Sequence, residues 1–355
     1  MRRTTMKRLL ILSLAATAAV LIAGKAAGQR APSGGAAFRI QSPLPDERFV
    51  GGESVALRTA GPGASLDARP LRWTSSRDGD LGTGSSILVR RLSPGRHVIT
   101  VAGGGASQTV AIRVFEDLWE FYKAPQARAE VERIARDFSF AWIDGRTDDE
   151  RWTTYEKTGF DPSSPEPSKA VVYAKLDVLR HQQFAEPLPF TRGKSIYDHL
   201  RTHVRKLVLG LGCAVNTGGG GTINLSRNFC VWDLRASGAA DRPDACKVAP
   251  AHPQAAPYIH SLYLLVHEGR HSEPGEPGHV ECQGKGNMDP SLENGSGHAA
   301  AALYLMWVYK YGLYDPPAVK AEAGTISRSL LKSRFCAPPA HSDPKVQALL
   351  DELLK

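Results

Sequence analysis

The sequence predicts a multi-domain chain: an all-β sandwich followed by a mainly α (α+β) domain. Three observations predict it. Between Phe38 and Val114, short segments alternate apolar and polar residues and are separated by turn residues. Beyond Phe115 the apolar residues recur at helical spacing instead. The 355 residues are enough for more than one core, and 42% hydrophobic with 23% charged residues is the composition of a globular chain.

Residues 1–28 read as an export signal. A basic MRRTTMKR precedes an apolar run from Leu9 to Ala23, and Ala26 and Gly28 are the small residues expected before a cleavage at Gln29. The run is short for a membrane span, and no later stretch is long and apolar enough to make one. The expected location is secreted or periplasmic. The leader also carries much of the charge. Without Arg2, Arg3, Lys7, Arg8 and Lys25 the formal +8 becomes +3, 39 basic against 36 acidic residues. Charge therefore gives no case for nucleic-acid binding. Residues 29–37, QRAPSGGAA, are a small-residue linker.

Residues 38–115 contain six strand-like segments, FRIQS, SVALRT, LRWTSS, SILVRR, HVITVA and QTVAIRV, with turns at PLPDE, SRDGD and SPGR. Regular short strands argue for a β-sandwich, with Trp73 as its large core residue. The stretch RWTSSRDGDLGTGSSILVRRLSPGRHVITV resembles bacterial immunoglobulin-like domains. That resemblance implies a spacer, or a module that binds a cell surface or polymer.

Residues 116–355 form the second expected domain. APQARAEVERIARDFSFAWI, SKAVVYAKLDVLRHQQFA and SIYDHLRTHVRKLVLGLG show helical periodicity. A Gly-rich break precedes INLSRNFCVWDL, which reads as one or two short strands, and GTINLS is a candidate edge strand for pairing with extended substrate. PYIHSLYLLVHEGRH reads as a helix and HAAAALYLMWVYKYG as a buried one. DPKVQALLDELLK reads as a closing amphipathic helix after an Asp-Pro start.

The chemistry concentrates in HEGRHSEPGEPGH, residues 267–279. On a helix His267 and His271 lie one turn apart on one face, where two imidazoles reach one Zn²⁺ and Glu268 lies beside it. Pro274, Gly275, Pro277 and Gly278 permit a sharp reversal, so His279 is the preferred third ligand, with Glu293 and His298 as alternatives. His260 reads as a packed or orienting histidine, His199 and His203 as a solvated helix face, Glu276 and Glu281 as loop charges, and DGRTDDE as an exposed acidic loop. The cysteines Cys213, Cys230, Cys246, Cys282 and Cys336 suit disulfides in an exported chain, with the pairing left open.

His267, Glu268 and His271 resemble the zincin metallopeptidases, and the Gly-turn-His resembles metzincin-like and SprT-like members. The resemblance implies a zinc-dependent hydrolase acting on peptides or proteins, with a metal-activated water and Glu268 as general base. Tyr304, Tyr263, His298 and Arg270 are candidate oxyanion donors. Two features depart from that pattern: the eight-residue step from His271 to His279, and Gly269-Arg270 inside the motif. Glycine there costs the helix about 1 kcal/mol relative to alanine. The competing class is a non-catalytic secreted or surface binding protein, with an immunoglobulin-like module and a metal-binding or metal-free helical domain.

Overall fold

A computed structural model describes residues 38–61, 70–142, 169–209, 215–216, 220–225, 256–282 and 284–355. The expected export signal, the linker, the DGRTDDE loop and Cys213, Cys230 and Cys246 lie outside the described residues. The architecture is mixed, with β-sheets first and helices predominating after them.

Strands β1 (Arg39–Ser42), β3 (Ser54–Ala60) and β6 (Ser86–Arg90) form one antiparallel sheet in the order β1-β3-β6. A second sheet has the order β2-β8-β7-β4-β5, from β2 (Glu47–Val50), β4 (Arg72–Ser75), β5 (Gly79–Thr83), β7 (Gly95–Gly103) and β8 (Ala106–Phe115). Period-two alternation places Ile99 and Val101 of β7 and Val110, Ile112 and Val114 of β8 inward, while Val98 faces out. They share one hydrophobic core with Val55, Leu57 and Val89 of the first sheet. Trp73 is fully buried there, and its indole N–H donates to the Gly84 carbonyl at 2.8 Å. Strands β2 and β5 were not anticipated. β5 is glycine-bearing, largely exposed and at a sheet edge, so it carries no alternating apolar signal.

β2 is buried along its whole length because helices cover it. These are α1 (Leu118–Lys123), α2 (Arg128–Asp137) and α3 (Lys169–His181). Arg48 of β2 enters them as a buried cation. Its Nε lies 2.7 Å from Glu130, its Nη2 2.5 Å from Asp177, and its Nη1 donates to the Phe121 and Ala124 carbonyls. Arg133 reaches back to Glu47 at 2.9 Å, and His181 to Glu53 at 2.8 Å. The two sheets are thus joined to the helices by paired buried charge.

A small sheet in the order β11-β12-β10-β9 follows. It contains β9 (Ser139–Trp142), β10 (Lys206–Leu209), β11 (Val215–Asn216) and β12 (Thr222–Leu225). β9, β10 and β12 run parallel, and β11 is antiparallel to β12. This corrects the expectation for GTINLS: its strand β12 has a neighbour on each side, so its backbone groups are already paired.

The remaining helices are α4 (Ile196–His203), α5 (Ala256–Arg270), α6 (Gly297–Tyr311), α7 (Pro317–Ser333) and α8 (Pro344–Leu354). Helix α6 is buried continuously from Gly297 to Val308, as its unbroken apolar sequence requires. Helix α8 begins at an Asp343 cap that accepts from the Lys345 N–H at 2.8 Å, and buries Val346, Leu349, Leu350 and Leu353. Between α5 and α6 a hairpin of β13 (Val280–Cys282) and β14 (Lys285–Met288) is tied to the chain beyond α7 by a Cys282–Cys336 disulfide. Closing a loop of 54 residues contributes about 4 kcal/mol in the chain-entropy account. Among the described residues no helix is long and apolar enough to cross a membrane.

Candidate metal centre

Helix α5 carries the motif at its C-terminal end. Leu262, Leu265 and Val266 anchor it in the core, so His267 and His271 leave the helix together on one face. Gly269 between them has a packing reason. A Cβ there would lie 2.2 Å from Leu200 Cδ2, so its absence lets α5 lie closely against α4. Gly269→Ala is therefore expected to destabilise the fold by about 1–3 kcal/mol through overpacking, although alanine is the better helix former. Urea unfolding checks this, and equal or greater stability would contradict it. Arg270 faces away from the histidines and pairs with Glu273 at 2.5 Å.

Beyond the helix, Gly275 and Gly278 adopt φ of 77° and 72°, left-handed values that reverse the chain. The reversal returns His279. Its Nε2 lies 3.0 Å from His271 Nε2 and 3.3 Å from His267 Nε2, and the latter two are 3.3 Å apart. A tetrahedral ion with bonds of about 2.0–2.1 Å needs donors about 3.3 Å apart, so the three nitrogens fit one zinc-sized ion.

The outer partners decide which nitrogen points inward. His279 Nδ1 lies 2.7 Å from Asp289 Oδ1, and the fully buried Asp289 also accepts from the Ala299 N–H at 2.7 Å. His271 Nδ1 lies 3.0 Å from Glu276 Oε1 and 3.1 Å from Ser296 Oγ. Ser296 in turn donates to Glu276. A carboxylate at each Nδ1 holds the proton there and turns the Nε2 lone pair toward the centre. Burial, reinforced by neighbouring imidazoles, holds His267 well below the ordinary histidine pKa. Burial also lowers His271, more than Glu276 raises it. Both are then neutral at pH 7, as ligands must be. Three imidazole nitrogens this close to one point form a donor set that one cation can bridge.

Glu268 is buried, with Oε1 3.9 Å from His267 Nε2. Gly297, the first residue of α6, closes one side of the centre: a Cβ on it would lie 2.7 Å from His271 Nε2 and 2.8 Å from His267 Nε2. The side chains of His271 and His279 stay 15% and 19% exposed, which leaves an approach from solvent.

Of the alternative third ligands, His298 lies beside the centre, its ring 4.6 Å from that of His267 and one ligand atom within 4.8 Å of those of His279 and Asp289, whereas Glu293 is engaged away from it. Glu293 is exposed and accepts a hydrogen bond from Ser342. His298 stacks on His279 at 4.4 Å and turns its Nε2 to the Asn287 carbonyl at 3.0 Å, and burial lowers its pKa to about 4. That contact and Arg270's pairing commit two candidate oxyanion donors to other partners. Tyr304 is a third, since its hydroxyl donates to Gln182 at 2.8 Å. Tyr263 packs edge-on against His260.

Two readings of polar residues need correction. Glu276 is a partner of His271 and not a loop charge, because the reversal folds it back over the helix end. His199 is buried against Glu273 at 2.9 Å, so α4 does not present a solvated histidine face. His260 is buried and its Nε2 has no hydrogen-bond partner among the described residues, as a packed histidine would be. Asp289 and Ser296 went unnoticed in the sequence. Their only signal is a place in the segment between the third histidine and the next helix.

No family model matches the chain, and no curated protein matches it. Among solved structures it is similar to the fibronectin(III)-like modules of CbhA from Clostridium thermocellum. That match has 12% identity and a TM-score of 0.19 over 22% of this chain and 94% of that one. A putative alpha-galactosidase from Bacteroides fragilis NCTC 9343 also has 12% identity and a TM-score of 0.19, over 63% of this chain and 49% of that one. Scores at this level assign neither fold nor activity.

Proposed function

We propose that the chain is an exported, zincin-like zinc metallopeptidase whose N-terminal strands form an immunoglobulin-like module. The observation that carries the reading is the convergence of the His267, His271 and His279 Nε2 atoms beside the buried Glu268 carboxylate. The two-sheet arrangement around Trp73 supports the module, and the basic-apolar leader supports export to the periplasm or medium.

His267, His271 and His279 would hold the zinc, and a zinc there supplies a Lewis acid and lowers the pKa of bound water toward 7. Glu268 accepts the proton of the attacking water and returns it to the leaving amine of a peptide or protein substrate. Asp289 and Glu276 keep the imidazoles in the ligating tautomer and orientation. Ser296 steadies Glu276, and the approach beside His271 and His279 admits substrate.

Glu268→Gln tests the reading. The variant should bind zinc as the parent does and lose hydrolysis of an unstructured protein substrate by about 10²–10⁴-fold, the usual worth of a general base. Retained hydrolysis would remove Glu268 from the role. Zinc-replete parent protein without hydrolytic activity would instead favour the second reading, a non-catalytic surface or polymer-binding protein with a structural metal. The close cover of Gly297 over the centre is the observation on that side.

A further inference from the structure

His199 and His203 stand one turn apart on α4, the same spacing as His267 and His271 on α5. The turn after α5 brings Glu273 to them, and one ligand atom from each of the three lies within 4.8 Å of the others. We propose that His199, His203 and Glu273 form a second binding site for a divalent transition-metal cation of the zinc, copper and nickel type, separate from the tri-histidine centre.

The donor set chooses the cation class. Two imidazoles and one carboxylate suit zinc, copper or nickel, while magnesium and calcium require mostly oxygen donors. Three atoms no more than 4.8 Å apart share a centre within about 2.8 Å of each. Side-chain movements of under about 1 Å then reach the 2.0–2.2 Å of zinc bonds.

The three side chains already meet one another. His199 Nε2 and Glu273 Oε1 are 2.9 Å apart, and the rings of His199 and His203 meet edge-to-face with centroids 5.3 Å apart. The half-buried His203 ring has no hydrogen bond among the described residues. His199 and Glu273 are 8% and 12% exposed at the side chain, so the open side for entry is that of His203.

One feature opposes a cation, the Arg270 guanidinium. It holds Glu273 Oε2, however, and so leaves Oε1 on the histidine side. A carboxylate that ligates through one oxygen while a neighbour fixes the other is an ordinary outer-partner arrangement. The other nearby cation, Lys194, is engaged with Thr202 Oγ1 at 3.2 Å.

The test is a zinc titration of the metal-stripped full chain, read by competition with a chromophoric chelator. His203→Ala removes one donor and leaves the His199–Glu273 pair in place. It should lower bound zinc by one equivalent, or weaken that equivalent at least about 10-fold, with an unchanged melting temperature of the apoprotein. The His267→Ala/His271→Ala double variant separates this site from the tri-histidine centre. It should retain one equivalent that adding His203→Ala removes. Equal zinc stoichiometry and affinity in His203→Ala and the parent would overturn the proposal, whether or not the tri-histidine centre binds.

Discussion

Gly297→Ala is expected to weaken zinc binding at the tri-histidine centre by 100-fold or more. The new methyl carbon would lie 2.7 Å from His271 Nε2 and 2.8 Å from both Cε1 and Nε2 of His267, distances carbon does not tolerate against ring atoms. Both imidazoles must turn away, and donors displaced by more than a few tenths of an ångström lose the metal. The helix itself does not suffer, because alanine favours it over glycine by about 1 kcal/mol. The measurement is zinc affinity in a His203→Ala background, which removes a donor of the second proposed site. Affinity equal to that of the background would show that α6 does not bound the centre as described.

Arg48→Met is expected to cost about 3–5 kcal/mol of stability, the usual consequence of removing one partner from a buried ion cluster. The loss would leave Glu130 and Asp177, both fully buried, with Arg180 as a remaining close cation and His181 beside them. The Asp177 carboxyl now sits well below its ordinary pKa. Burial alone would raise it, but Arg180, Arg48 and His181 together outweigh that. Glu130 goes the other way, raised by its burial and by the charge of Asp177 beyond what Arg48 offsets. Urea unfolding at pH 7 gives the number. A loss under about 1 kcal/mol would mean that the two sheets are held to the helices by apolar contact alone.

Much of this molecule is written locally. Strands β3, β4, β6, β7 and β8 and helices α2 to α6 and α8 follow from periodicity, whereas helix α7 was not anticipated and the runs read as helical through Ser139–Trp142 and Lys206–Leu209 end in strands β9 and β10. The pairing of His267 with His271 follows from helix spacing, and the return of His279 from two prolines and two glycines. What stayed hidden depends on partners distant in sequence. Gly269 looks like a flaw in a helix until Leu200 is known to lie on it. Glu47 falls in the PLPDE turn and Arg48 carries no signal of its role, since nothing nearby announces the acids of α2 and α3. Glu276 and Asp289 acquire their roles only once the turn and hairpin are folded. The partner of Cys282 is likewise a property of the hairpin meeting the end of α7.

The disulfide also divides the centre by what holds each part. His267 and His271 are placed by one helix, which needs only its own hydrogen bonds and an apolar bed. His279 lies three residues before Cys282, and its carboxylate partner Asp289 exchanges backbone hydrogen bonds with Arg334 and Cys336. Half of the centre therefore rests on the geometry of a single helix. The other half rests on a hairpin that a covalent bond fastens to a cysteine 54 residues further along the chain.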